Sequence, residues 1–158
     1  MDRYEQLVEH ARQLGLEVIE KTFKSSAKGL TKGNKIGISK SIESNAEKRC
    51  VLAEEIAHSL YTVGDILDQN NINNVKQEKY ARKKAYEDLL PLSLLIEAYE
   101  QGIRSLHEMA EYLEVTEDFF KASLNHYQRK YGLYARYGRY VLYFSPLTVC
   151  EKHHIKAI

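Results

Sequence analysis

One segment restricts what this 158-residue chain can fold into more than any other. It is SIESNAEKRCVLAEEIAHSLYTVGD, residues 41–65. Ser44 followed three positions later by Glu47 is a capping box, in which each side chain satisfies a backbone N–H of the first helical turn. The helix is therefore expected to start near Asn45. Val51, Leu52, Ile56, Ala57 and Leu60 then recur at helical spacing, and Gly64 is a natural place to stop.

The flanking pattern supplies the rest of the architecture. Tyr4, Leu7, Val8, Ala11 and Leu14 predict a first amphipathic helix with Gly15 as its stop. LEVIEKTF (16–23) and NKIGISKSI (34–42) carry β-branched residues and predict two short strands, separated by the turn-rich KSSAKGLTKG (24–33). The polar GDILDQNNINNVKQ (64–77) reads as a loop. A helix is expected from about Val75 to Leu90, ended by Pro91 because the residue before a proline avoids the helical region. LSLLIEAYEQG predicts another helix to Gly102, and residues 105–131 predict two more, the second capped by Thr116 and stopped by Gly132. YARYGRYVLYFSPLTV alternates as a strand or hairpin. The order α, β, α-rich, β is that of an α+β fold. No internal repeat or linker interrupts it, so residues 1–158 are expected to form a single domain.

Composition narrows the setting. The chain is 44% hydrophobic and 28% charged with a formal net charge of +1, which provides no global pull toward nucleic acid or anionic membrane. No apolar run approaches ~18 residues, and the charged amino terminus lacks the apolar core of a signal peptide. Cys50 and Cys150 lie far apart, which suits free thiols in a reducing compartment. A cytoplasmic protein is expected.

Within the capped helix, Glu54-Glu55-Ile56-Ala57-His58 is one residue away from the H-E-x-x-H signature of zinc peptidases. Residues four apart on a helix share a face, so Glu54 and His58 project together with Glu55 beside them. That is the placement of two metal ligands and a neighbouring general base. A third ligand has to come from elsewhere, and the following helix offers Glu78. The same five residues also describe a solvated, charged helix face. A capped helix, a loop and a second helix bearing a glutamate is, however, the order expected of a third-ligand helix.

Four segments together, KRCVLAEEIAHSLYTVGDIL, QEKYARKKAYEDLLPL, MAEYLEV and YVLYFSPLTV, resemble the ImmA/IrrE family of metallopeptidases encoded by phages and mobile elements. The resemblance runs from about Gly29 to Val149. It implies a zincin-like fold, a small β-sheet packed on a helical bundle. Glu78, Ala81, Ala85, Leu89 and Pro91 match the segment that supplies the family's third ligand. The resemblance thus makes His58 and Glu78 metal ligands, with Glu54 in the place of the first histidine, and Glu55 the catalytic base. The expected cofactor is a divalent metal, zinc, with manganese as the alternative because oxygen-rich ligation favours harder ions. Two carboxylates and one imidazole would neutralise that ion, whereas His, His and Glu leave it at net +1, so its Lewis acidity is expected to fall. The implied function is an endopeptidase that cleaves a phage or mobile-element transcriptional repressor and so relieves repression. The alternative is a catalytically silent anti-repressor that binds the same target. The expected partner is a protein, with no direct nucleic-acid or membrane contact.

Residues 105–131 could pass for a helix-turn-helix. Glu117 and Asp118 occupy the end that would meet DNA, where phosphates repel them, and core packing by Phe120, Leu124 and Tyr127 is expected instead. The tyrosines and arginines of 127–144 fit a strand or a protein-binding edge, and His153 and His154 a frayed tail. Lys35 to Ile38 are open to two readings, a sheet edge that takes an extended substrate or an interior strand.

Overall fold

The computed structural model describes residues 1–62 and 72–152, with the backbone alone at 72 and 73. Gly64, His153 and His154, on which expectations were placed, lie outside the described residues. The chain divides into two compact units, Met1–Leu89 and Leu90–Ile158.

In the first unit, helix α1 (Arg3–Gln13) begins where Asp2 and Glu5 cap one another. Each carboxylate accepts from the other's backbone N–H, at 2.8 and 3.0 Å. It ends before Gly15, whose φ of +84° is the left-handed conformation expected of a helix stop. Strands β1 (Glu17–Lys21), β2 (Gly29–Lys32) and β3 (Lys35–Ser39) follow. Their order is β1-β3-β2, with β1 parallel and β2 antiparallel to β3. One expectation is corrected here and one open reading is resolved. The turn-rich stretch contains a strand, β2, held by a tight turn to β3 in which Gly33 takes a φ of +63°. β3 is the central strand, so Lys35–Ile38 form no edge. Gly37 does permit a close approach, but of the chain's own Phe23, whose ring lies 3.1 Å from where a Cβ would stand.

Helix α2 (Asn45–Tyr61) starts at the expected residue. The Ser44 hydroxyl accepts from Glu47 N–H at 3.1 Å, while the Glu47 carboxylate turns away to pair with Lys28. Its inward face joins one core with Tyr4, Ala11, Leu16, Ile36, Ile38 and Ile42, through Leu52 and Ile56. Helix α3 (Ile72–Leu89) starts three residues before the expected Val75 and takes in part of the Asn-rich stretch. It packs along α2, with Ala81 and Ala85 fully buried. Small residues let two helix backbones come close, which brings side chains one turn away, such as Glu78, to the other helix.

The second unit contains α4 (Leu92–Glu100), α5 (Leu106–Leu113), α6 (Glu117–Tyr131) and the meander β4 (Tyr134–Tyr137), β5 (Tyr140–Phe144) and β6 (Leu147–Glu151). The molecule thus has two three-stranded sheets among its described residues where one was expected. The inward face of α6 is Phe119, Phe120, Ser123, His126 and Tyr127, and Leu124 is only half-buried. The Tyr127 hydroxyl donates to the Leu90 carbonyl at 2.8 Å. Among the described residues neither Cys50 nor Cys150 forms a disulfide.

Candidate functional site

The last two turns of α2 carry the acidic pair and the histidine of the sequence motif. Glu55 faces the sheet and is buried, whereas Glu54 and His58 are half-buried on the side that meets α3. Glu78, in the second turn of α3, reaches His58: its Oε2 lies 2.9 Å from His58 Nε2. The other imidazole nitrogen, Nδ1, stands 3.4 Å from Glu55 Oε2. His58 therefore sits between two carboxylates, with 10% of its side chain exposed. Its carbonyl accepts from the backbone N–H of Thr62 at 3.2 Å and from the Thr62 hydroxyl, which ties down the last turn of the helix.

The contact with Glu78 is close but imperfectly aligned. Nε2 is buried and has no hydrogen bond of acceptable geometry, because the nearby carboxylate oxygen lies off the ring N–H axis. Arg82, one turn further along α3, holds the second oxygen of Glu78 at 3.3 Å from its Nε. Burial opposes charge on His58, but the two carboxylates outweigh it and push its pKa up to about 9. Glu78 is displaced the other way, chiefly by the imidazolium against the effect of burial, with Arg82 assisting. Burial raises the pKa of Glu54, an effect that Arg82 reduces and Glu78 reinforces.

These opposed shifts give the metal-free protein a defined pH response. A raised histidine pKa contributes stability that is complete below the unfolded value of ~6.5 and is lost as pH rises through about 9. The lowered pKa of Glu78 contributes stability above the unfolded carboxylate value, lost as pH falls through the folded one. In excess chelator, the melting temperature is expected to decline as pH is taken from 6.5 to 9.5. Circular dichroism of His58→Ala should show no such decline; an equal slope in the variant would remove His58 as its source.

A buried imidazole nitrogen without a directed hydrogen bond, facing a carboxylate, has the chemistry of half a metal site. Two ligands ~2.0–2.2 Å from a tetrahedral ion stand about 3.3–3.6 Å apart, so the 2.9 Å separation has to open by roughly half an ångström to admit one. The residues fit a divalent ion to that extent. Among the described residues, no three His, Cys, Asp or Glu side chains form a ready cage, and Glu54 would have to turn toward the pair to complete one.

Two contributors were not visible in the sequence reading. Arg82 stands one turn after Glu78, a spacing that in itself announces a helical ion pair. Thr31, on β2, donates its hydroxyl to Glu55 Oε2 and lies 3.2 Å from the Glu55 carbonyl oxygen. No local signal marks it, since the contact joins residues far apart in the chain.

An acidic pair and a histidine on one helix, met by a glutamate from the next, are the parts of a metallopeptidase-like domain. The chain belongs to the IrrE N-terminal-like domain family, peptidase family M78, whose model matches residues 11–125. No curated protein and no solved structure matches it. Members of this family are in general metal-dependent, and a peptidase acts on protein substrates. Among the described residues no helix is long and apolar enough to cross a membrane.

Proposed function

We propose that the protein is a metal-dependent endopeptidase, with His58, Glu78 and Glu54 as ligands of a divalent ion and Glu55 as the catalytic base. The observation that carries this reading is the buried Nε2 of His58, without a directed hydrogen bond and 2.9 Å from a carboxylate of the neighbouring helix. When bound, the ion would polarise the scissile carbonyl and lower the pKa of a water. Glu55, fixed beside the ligands, takes that proton. Zinc is the favoured metal, and the carboxylate-rich set makes manganese the alternative. We place the fold among the zincin-like folds, with residues 1–158 working as one domain. A family match over residues 11–125, which includes the boundary between the two compact units, supports reading them together.

The substrate is a transcriptional repressor of a phage or mobile element, met in the cytoplasm. An extended segment of it would add to the free edge of β2, the edge strand whose Thr31 bonds Glu55, with main-chain hydrogen bonds supplying affinity. A second reading is favoured by the glutamate at position 54 and by the lack of a ready three-residue cage among the described residues. In it the protein binds the repressor without cutting it. Elemental analysis of protein purified without chelator or affinity metal, together with repressor integrity on a gel beside release of operator DNA, tests both. Cleavage that depends on bound metal supports the peptidase; release with intact repressor overturns it in favour of the silent anti-repressor.

A further inference from the structure

We propose that Thr31 is a positioning residue for Glu55, and that β2 lies where it does in order to hold that carboxylate. This rests on the peptidase reading above and assigns it a residue outside the motif. A helical glutamate side chain ordinarily samples several rotamers, so a base next to a metal site needs something to fix it. The Thr31 hydroxyl donates to Oε2, on which His58 Nδ1 also converges at 3.4 Å. Among the described residues Oε1 accepts no hydrogen bond, and it lies against Gly29, 3.0 Å from where a Cβ there would stand. The carboxylate is thereby held through Oε2.

Gly29 makes the clamp geometrically attainable. A Cβ there would stand 2.7 Å from Val51 Cγ1, 2.9 Å from Glu55 Cγ and 3.0 Å from Glu55 Oε1. Any side chain at this position would push β2 off the helix or turn Glu55 away. Glycine at 29 lets the strand close on α2, and two residues on, the same face of the strand presents the Thr31 hydroxyl. Neither residue hydrogen-bonds Glu54, His58 or Glu78 directly, and the link from Thr31 to His58 runs through Glu55 Oε2, so removing the Thr31 hydroxyl leaves the direct contacts of the proposed ligands in place.

The test compares Thr31→Val, which keeps the shape and loses the hydroxyl, with Thr31→Ser, which keeps the hydroxyl. Three quantities are read: Zn2+ affinity by calorimetry, the carboxyl 13C signal of Glu55 at pH 7.5, and hydrolysis of a fluorogenic peptide library by the zinc-loaded protein. Thr31→Val should bind Zn2+ within about twofold of wild type, shift the Glu55 signal, and lose roughly tenfold or more in kcat at little changed KM. Thr31→Ser should restore both signal and kcat. An unmoved Glu55 signal, or full kcat in Thr31→Val, overturns the positioning role while the peptidase reading stands. A shifted signal in a protein whose wild type binds Zn2+ and hydrolyses nothing overturns the peptidase reading and the catalytic purpose of the clamp with it.

Discussion

Glu55→Gln should bind zinc as the wild type does and lose hydrolysis by ~10²–10⁴-fold, the usual worth of a positioned general base. The amide keeps the size of the side chain and still accepts from the Thr31 hydroxyl that reaches Oε2 in the wild type. It cannot take a proton at neutral pH. His58→Ala should lose metal and hydrolysis together, since it removes the imidazole that faces Glu78 at 2.9 Å and leaves that carboxylate beside Arg82 alone. Calorimetry with Zn2+ and cleavage of the peptide library separate the two variants. Equal metal loss in both would contradict the division of labour between the neighbours.

Glu54→His should raise zinc affinity and move the pH optimum of hydrolysis down by roughly one unit. The substitution exchanges a carboxylate for an imidazole and takes the ligand set from neutral to net +1 around a divalent ion. It also removes a carboxylate whose burial already disfavours its charged form. A silent anti-repressor behaves differently under the same change: repressor affinity stays constant, and wild type and Glu55→Gln release operator DNA equally. The comparison of wild type, Glu54→His and Glu55→Gln on one gel distinguishes these outcomes. An unchanged pH optimum with restored metal would show that the charge of residue 54 does not govern the reaction.

The helices were legible in the sequence because their signals are local. Ser44, Ser105 and Thr116 each accept from a backbone N–H three residues on, and Gly15, Gly102 and Gly132 each take positive φ at a helix end. β2 was not legible. GLTK has neither alternation nor β-branched density, and it becomes a strand because β3 offers it a ladder through a tight turn. The central place of β3 was equally hidden, since strand order depends on β1 pairing in parallel across an intervening segment. In the site, the E-E-x-x-H spacing put Glu54 and His58 on one side of α2, and the family resemblance picked out Glu78. Thr31 required the fold itself, because its partner lies 24 residues away.

The contact between Gly29 and the α2 helix has a consequence for how such chains are found. A strand that closes on a helix through a missing side chain tolerates one residue type at that point, and its hydroxyl neighbour is constrained by what it holds. The pair G-x-T, set 24 residues ahead of the acidic motif when counted from the threonine to Glu55, would form a signature independent of the proposed metal ligands. Across diverged chains these two positions should covary with the glutamate at 55 rather than with the residue at 54. Sequences in which the first histidine has been replaced, and which a search on H-E-x-x-H passes over, would then be recognisable by the strand that faces it.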